Sequence, residues 1–117
     1  MTPGGQLQAA FEALGEVDQS KVPARHTVNI YFRKRRYIGS KDRRIISNLI
    51  FEVIRNQLRI DWHIRMVGEE PSARLRTLLS CLINGKTQAE MELLCDNSLY
   101  SPASLTKTEQ NILFNYL

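Results

Sequence analysis

The apolar residues of this chain recur at intervals of three and four over almost its whole length, which is the period of an α-helix. No segment shows sustained alternation between turn signals, the pattern of a β-strand. A brief alternation from Leu58 to Val67 has no second strand to pair with, so we predict a short helix there. The sequence therefore predicts an all-α fold, a compact bundle of six to seven helices. Its 117 residues fit one domain, because each half alone would be only marginally stable.

The first helix is predicted to follow Thr2, a capping residue, and Pro3, which suits a first turn. Gly4 and Gly5 each cost about 1 kcal/mol relative to alanine inside a helix, so we expect the ordered part to begin near Gln6. Four apolar residues then form one predicted buried stripe: Leu7, Phe11, Leu14 and Val17.

Residues 15–21 are polar and are predicted to form a loop, after which Pro23 opens the second helix and Gly39 ends it. Ser40 is predicted to cap the third helix. A wide apolar band predicts that this third helix is central and the most buried element. The band consists of Ile45, Ile46, Leu49, Ile50, Val53 and Ile54.

Sequence signals mark where the fifth helix ends and where the sixth and seventh helices begin. Gly85 is predicted to close the fifth helix. Thr87 and Thr106 are each followed three residues later by glutamate, a capping box that predicts the start of helices six and seven. Helix seven carries Ile112, Leu113 and Tyr116 and is still in pattern at Leu117, so we expect the chain to be a fragment of a longer protein.

The charge distribution carries the strongest functional signal. Residues 21–44 contain nine lysines and arginines against one acidic residue, a local net charge of +8, whereas the whole chain carries +4 and the remainder therefore −4. Such asymmetry favours a local surface that binds a polyanion. We predict that RNA binds at residues 33–44, which we call the basic turn, through Arg33, Lys34, Arg35, Arg36, Tyr37, Ser40, Lys41, Arg43 and Arg44.

The two halves of the basic turn differ in what they indicate. Residues 33–36 are expected in the last turn of helix two, where cations complement the helix dipole. Lys41, Arg43 and Arg44 are expected in the first turn of helix three, where positive charge opposes the dipole. A phosphate bound at this helix start would account for them. The alternative is that Asp42 pairs with a neighbouring arginine and locks the corner, with the other cations only solvated.

Aromatic residues accompany these charges. Tyr31, Phe32 and Tyr37 are candidates for stacking on unpaired RNA bases. Trp62 lies between two isoleucines at spacing two, and we expect it in the core rather than on a base.

Other chemistry has little support in the sequence. Cys81 and Cys95 lie in apolar surroundings and are expected to be buried free thiols, as suits a reducing cytosol. His26 and His63 have no ligand at metal-binding spacing, so no metal site is expected. The six glycines are scattered, which argues against a cofactor loop. With no leader pattern and no apolar stretch near 20 residues, we expect a soluble cytoplasmic protein.

Several stretches resemble one known family. They are residues 1–3, 8–14, 31–33 and 36–46, with 105–109 near the end, and residues 36–46 are the most specific. They look like the N-terminal domain of bacterial Sun/Fmu-type ribosomal RNA cytosine-5 methyltransferases. The resemblance implies a fold like that of the antitermination factor NusB and a role in presenting ribosomal RNA.

The resemblance also implies partners outside this chain. In the family, the S-adenosylmethionine site and the catalytic cysteines lie in a C-terminal Rossmann-like domain, so we expect no cofactor, no catalytic residue and no enzymatic activity in this chain alone. Its expected partners are ribosomal RNA and that catalytic domain. A NusB-like adapter for transcription antitermination or protein binding is the alternative, which an exposed apolar strip on helices five to seven would favour. A complete small enzyme is the weakest hypothesis.

Overall fold

The computed structural model describes residues 1–115, which form seven α-helices and no β-strand. They are α1 (Pro3–Gln19), α2 (Ala24–Arg33), α3 (Ser40–Arg55), α4 (Gln57–Met66), α5 (Ala73–Ile83), α6 (Gln88–Leu94) and α7 (Lys107–Phe114). The predicted all-α bundle is confirmed, including the short fourth helix. Tyr116 and Leu117 lie outside the described residues, so what was predicted from them stays a prediction. None of the described helices combines the length and apolarity needed to span a membrane.

Helix α1 begins at Pro3, so the prediction of a start near Gln6 is wrong. The Thr2 hydroxyl caps it by accepting a hydrogen bond from the Gly5 N–H at 3.0 Å. Gly4 is buried, and a Cβ atom there would collide with the Ser101 side chain and lie 3.0 Å from the carbonyl oxygen of Leu94, at the end of α6. The low helix propensity of glycine is therefore offset by a close approach that no larger residue permits.

The same helix continues to Gln19, through most of the segment predicted to be a loop. Two carboxylates on its last turn form ion pairs with other elements. Glu16 Oε2 lies 3.8 Å from Arg35 Nη2, and Asp18 Oδ2 lies 3.0 Å from Arg76 Nη1 on α5. The polarity of this segment thus reflects contacts on the surface of a helix.

The core consists of two apolar clusters that share α1. The first lies among α1, α4, α5, α6 and α7 and contains Leu7, Phe11, Ile60, Ile64, Leu78, Leu79, Cys81, Leu82, Met91, Cys95, Leu105 and Leu113. The second lies among α1, α2 and α3 and contains Ala9, Ala10, Ala13, Leu14, Val28, Tyr31, Phe32, Ile38, Ile46, Ile50 and Val53. The single stripe predicted on α1 therefore divides: Leu7 and Phe11 face one cluster, and Leu14 faces the other.

Helix α3 is not the most buried element, contrary to prediction. Only Ile46, Ile50 and Val53 of its band are fully buried, whereas α1 has eight buried residues and α5 has six. Helix α1 is covered on two sides because both clusters form against it. The outer members of the α3 band, such as Ile45, are half-buried at the edge of the bundle.

The predicted caps of the later helices are confirmed. Thr87 and Thr106 each form a complete capping box with the glutamate three residues on. Gly85, at φ +102°, ends α5, and its N–H donates to the Leu82 carbonyl at 3.1 Å. The Lys86 N–H donates to the Cys81 carbonyl at 3.0 Å, which completes a Schellman motif.

Candidate nucleic-acid interface

The basic turn forms a tight corner between α2 and α3. Helix α2 ends at Arg33, so Arg35 and Arg36 lie beyond the helix rather than in its last turn as predicted. The chain leaves the α2 axis because Ile38 is buried in the second cluster. The N-cap of α3 is Gly39, whose backbone is extended, and Ser40 is already helical. The prediction that Ser40 caps α3 is therefore wrong.

An open groove of about 730 Å³ lies between α2 and the start of α3. Four arginines line it: Arg33, Arg36, Arg43 and Arg44. Among the described residues no carboxylate lines this groove, so its wall carries a formal charge of +4. Ser40 also lines it, at the end of α3 where the helix dipole is positive. Charge and dipole thus have the same sign here.

Three of the four arginines have guanidinium groups without a partner among the described residues. Arg33, Arg36 and Arg44 are exposed, and within residues 1–115 none of them has an ion pair or hydrogen bond. Each guanidinium presents five N–H donors in a planar arrangement that matches phosphate oxygens. These three side chains therefore have donors available for an anion.

Arg43 serves the fold instead. Its Nε donates to the Ile38 carbonyl at 2.7 Å, and its Nη2 donates to the Phe32 carbonyl at 3.3 Å. Its guanidinium also lies 5.6 Å from the centre of the Phe32 ring. Arg43 thereby connects the start of α3 to the end of α2. Arg43 also lines the groove.

Arg35 stabilises the opposite side of the same corner. Its Nη1 donates to the Tyr31 carbonyl at 3.2 Å, and the guanidinium lies 3.8 Å from the Tyr31 ring centre. With the ion pair to Glu16 on α1, these contacts hold Arg35 away from the groove. Two of the five arginines in the basic turn are thus committed to the fold.

The alternative hypothesis, that Asp42 pairs with a neighbouring arginine, is wrong among the described residues. The Asp42 Oδ1 accepts a hydrogen bond from Gln6 Nε2 at 2.9 Å, and its Oδ2 lies 3.8 Å from the N-terminal ammonium of Met1. Asp42 therefore joins the start of α3 to the start of α1. The corner itself is held by Arg35 and Arg43.

The aromatic residues divide between core and surface. Tyr31 and Phe32 are buried in the second cluster, so the prediction that they stack on RNA bases is wrong. The Tyr31 hydroxyl donates to Glu12 at 2.9 Å, and burial together with this bond raises the pKa of the Tyr31 phenol. Tyr37 is 78% exposed and stays available for stacking.

The remaining predicted residues are exposed but lie outside the groove: Lys34, Lys41 and Tyr37. Two polar residues that sequence reasoning missed do line it, namely Asn29 and Ser47. Helical spacing could have identified both residues, because Asn29 precedes Arg33 by one turn of α2 and Ser47 follows Arg43 by one turn of α3.

Other candidate residues lie far from this chemistry. Cys81 and Cys95 are buried free thiols, as predicted, and burial raises the pKa of the Cys81 thiol to about 11. Trp62 is 59% exposed, so the prediction that it lies in the core is wrong. No group of three or more potential metal ligands occurs in the described part of the chain.

Comparisons with protein-family models, with curated proteins and with solved structures give no match to this chain. The resemblance to the methyltransferase family therefore stays a prediction, and the class of the protein is defined by its fold and site. It is an all-helical bundle with an arginine-lined groove at one helix corner.

Proposed function

We propose that this chain is an RNA-binding domain that holds RNA phosphates in the arginine groove. The observation that carries the proposal is the set of three unpaired guanidinium groups, Arg33, Arg36 and Arg44, in a groove whose described lining has no carboxylate. Clustered like charges destabilise a folded chain. A bound polyanion would remove that repulsion.

The shape of the site supports an extended ligand. The groove is open and lies between α2 and the start of α3, so a phosphate backbone would have access to the arginines that line it. Phosphate contacts supply most of the affinity of nucleic-acid binding and carry no sequence information directly. Exposed Tyr37 adds a ring that can stack on an unpaired base.

The resemblance narrows the proposal to ribosomal RNA. On the basis of this resemblance, we propose that the chain is the NusB-like N-terminal domain of a ribosomal RNA cytosine-5 methyltransferase. The domain would present RNA to a C-terminal catalytic domain that binds S-adenosylmethionine. Incubating this chain alone with RNA and labelled S-adenosylmethionine should transfer no methyl group to the RNA, and clear turnover would refute this assignment.

Fluorescence anisotropy with a labelled ribosomal RNA hairpin tests the groove. We expect the double variant Arg36→Gln, Arg44→Gln to bind about tenfold to a hundredfold more weakly than wild type. We also expect the slope of log affinity against log salt to fall by about 1.4–1.8, since each lost phosphate contact removes about 0.7 on a single-stranded loop and about 0.9 on a duplex stem. Both side chains are exposed, so the fold should be unchanged.

The control is the double variant Lys21→Gln, Lys107→Gln, which lowers the net charge equally but alters exposed lysines outside the groove. It should bind nearly as well as wild type. If the two double variants lose affinity equally, binding follows net charge alone and the assignment of the groove is wrong. If neither loses affinity, RNA binds elsewhere.

A further inference from the structure

The surface between α2 and α3 continues beyond the four arginines of the groove. Two contacts show that these helices run alongside each other in opposite directions. The Arg43 guanidinium, at the start of α3, lies 5.6 Å from the ring centre of Phe32, near the end of α2. The Arg25 guanidinium, at the start of α2, lies 5.7 Å from the ring centre of Phe51, in the second half of α3. The surface therefore has a second end, at Arg25 and Phe51.

A row of side chains on α2 connects the two ends. Arg25, Asn29 and Arg33 follow one another at intervals of four residues, so they lie on the same side of the helix. Asn29 and Arg33 line the groove. On α3, Ser47 lines the groove and Phe51 follows it by four residues. Arg25 thus lies one helical turn beyond Asn29, where the arginine-lined part of the surface ends.

Arg25 has hydrogen-bond donors available, as the three unpaired arginines of the groove do. It is exposed, and within residues 1–115 it has no ion pair or hydrogen bond. The half-buried Phe51 ring holds its charge against α3 but supplies no oxygen acceptor. The N–H groups of a positioned guanidinium are therefore left for an anion.

The acidic residues of these two helices are already paired within the described residues. Helix α2 contains no aspartate or glutamate. On α3, Asp42 accepts a hydrogen bond from Gln6, and Glu52 forms an ion pair with Arg55. No carboxylate of either helix thus neutralises Arg25.

The distance between the two ends suits a chain of phosphates better than a single one. Arg33 follows Arg25 by eight residues, which is about 12 Å along a helix at about 1.5 Å per residue. A stacked nucleic-acid strand advances about 3.4 Å for each nucleotide, so phosphates about three to four nucleotides apart would reach both arginines. A lone phosphate would reach only one of them.

We propose that Arg25 is a second phosphate-binding site, which an RNA strand of about four nucleotides reaches from the arginine groove along α2. This inference rests on the proposed RNA binding and extends it from one groove to a longer track. Asn29 and Ser47 lie between the two ends and supply uncharged groups that can bond sugar and phosphate oxygens. The Phe51 ring acts as a positioning group for the Arg25 charge.

Two uridylate probes of different length test the second site. One is a 5′-phosphorylated dinucleotide, too short to reach from Arg33 to Arg25, and the other is an octanucleotide. NMR titration measures both affinities, because it reaches dissociation constants in the millimolar range. We expect Arg25→Gln to weaken binding of the octanucleotide about threefold to tenfold and to leave the dinucleotide unchanged. The slope of log affinity against log salt should fall by about 0.7 for the octanucleotide alone.

Three further variants separate the causes. Arg25→Lys keeps the charge and should restore the salt slope of the octanucleotide, since the slope counts neutralised phosphates. Lys107→Gln removes an exposed charge on α7 and should leave both affinities close to those of wild type. The Arg36→Gln, Arg44→Gln variant should weaken both probes, so it tests the groove separately from Arg25.

Three results would overturn the second site while leaving the groove in place. They are wild-type affinity of Arg25→Gln for the octanucleotide, an equal loss for both probes, and an equal loss in Lys107→Gln. The second result would give Arg25 a role in the structure of the groove, and the third would attribute its effect to net charge. If the Arg36→Gln, Arg44→Gln variant binds both probes as wild type does, the proposed function itself fails, and the second site with it.

Discussion

Replacing Arg43 by glutamine, in parallel with Arg44 by glutamine, separates the structural and binding roles of two adjacent arginines. Both line the groove, but only Arg43 donates hydrogen bonds to backbone carbonyls, at Ile38 and Phe32. Glutamine is nearly as good a helix former as arginine, so the backbone of α3 should not be affected. The two variants lower the net charge equally, so their difference reports on the contacts.

The contacts set the expected magnitude. The short bond from Arg43 to the Ile38 carbonyl, at 2.7 Å, is charge-assisted, and such bonds contribute about 1.5–3 kcal/mol. The longer bond to Phe32 and the ring contact at 5.6 Å add about 0.5–1 kcal/mol together. Because Arg43 is only half-buried, water replaces part of this, and we expect a loss of about 2 kcal/mol. Exposed Arg44 should change stability by less than about 0.5 kcal/mol.

Urea unfolding followed by far-ultraviolet circular dichroism measures the difference. The urea concentration at the unfolding midpoint should be lower for Arg43→Gln than for wild type, with an unchanged m-value. The unfolding curve of Arg44→Gln should coincide with that of wild type. At a temperature where both are folded, Arg44→Gln should show the greater loss of RNA affinity. Equal stability of the two variants would refute the structural role of Arg43, and a greater loss of RNA affinity in Arg43→Gln would reverse the assigned roles.

Three further predictions follow from the fold. Gly4→Ala should lower the melting temperature although alanine favours helix, because the new methyl group would collide with the Ser101 side chain and lie only 3.0 Å from the Leu94 carbonyl oxygen; a rise on thermal melting would contradict this. Burial raises the pKa of Glu109, but hydrogen bonds from Arg74 and Thr106 lower it more, so its net pKa is depressed. The stability it contributes is therefore full above the ordinary glutamate pKa and is lost as the pH falls through the depressed value; Glu109→Gln should flatten acid unfolding curves in that range. With a pKa of about 11, the buried Cys81 thiol should resist a thiol reagent at pH 8 until urea unfolds the chain, and fast labelling of the native protein would refute its burial.

Local chemistry made several elements predictable. The capping boxes at Thr87 and Thr106 and the glycine at position 85 specify backbone geometry within a few residues of themselves. The extent of α1 was not predictable in this way. Its start depends on contacts of Gly4 with Ser101, almost a hundred positions away, and such contacts are not encoded by local pattern.

The candidate site likewise combines features that the sequence predicts locally with features that depend on the folded structure. Clustered charge identified the basic turn, because formal charge is a property of residue type alone. Which arginines bind carbonyls depends on where the corner places them, and Arg35 and Arg43 could not be distinguished from Arg36 and Arg44 by sequence. Trp62 was misplaced for a related reason, since the isoleucines two positions away on each side point to the opposite face of α4.

The arrangement of the corner also bears on how tightly the groove can bind. Arg35 and Arg43 occupy the carbonyls at the end of α2 and hold the corner rigid, so Arg33, Arg36 and Arg44 project from fixed backbone. Binding then costs mainly the rotamer entropy of three side chains, about 0.5–1.5 kcal/mol for each. Three point contacts to phosphates, as proposed, would give weak and sequence-tolerant binding that falls steeply with salt. Such a domain would add affinity to a second RNA-binding unit joined to it, because linkage raises the effective concentration of each for the other.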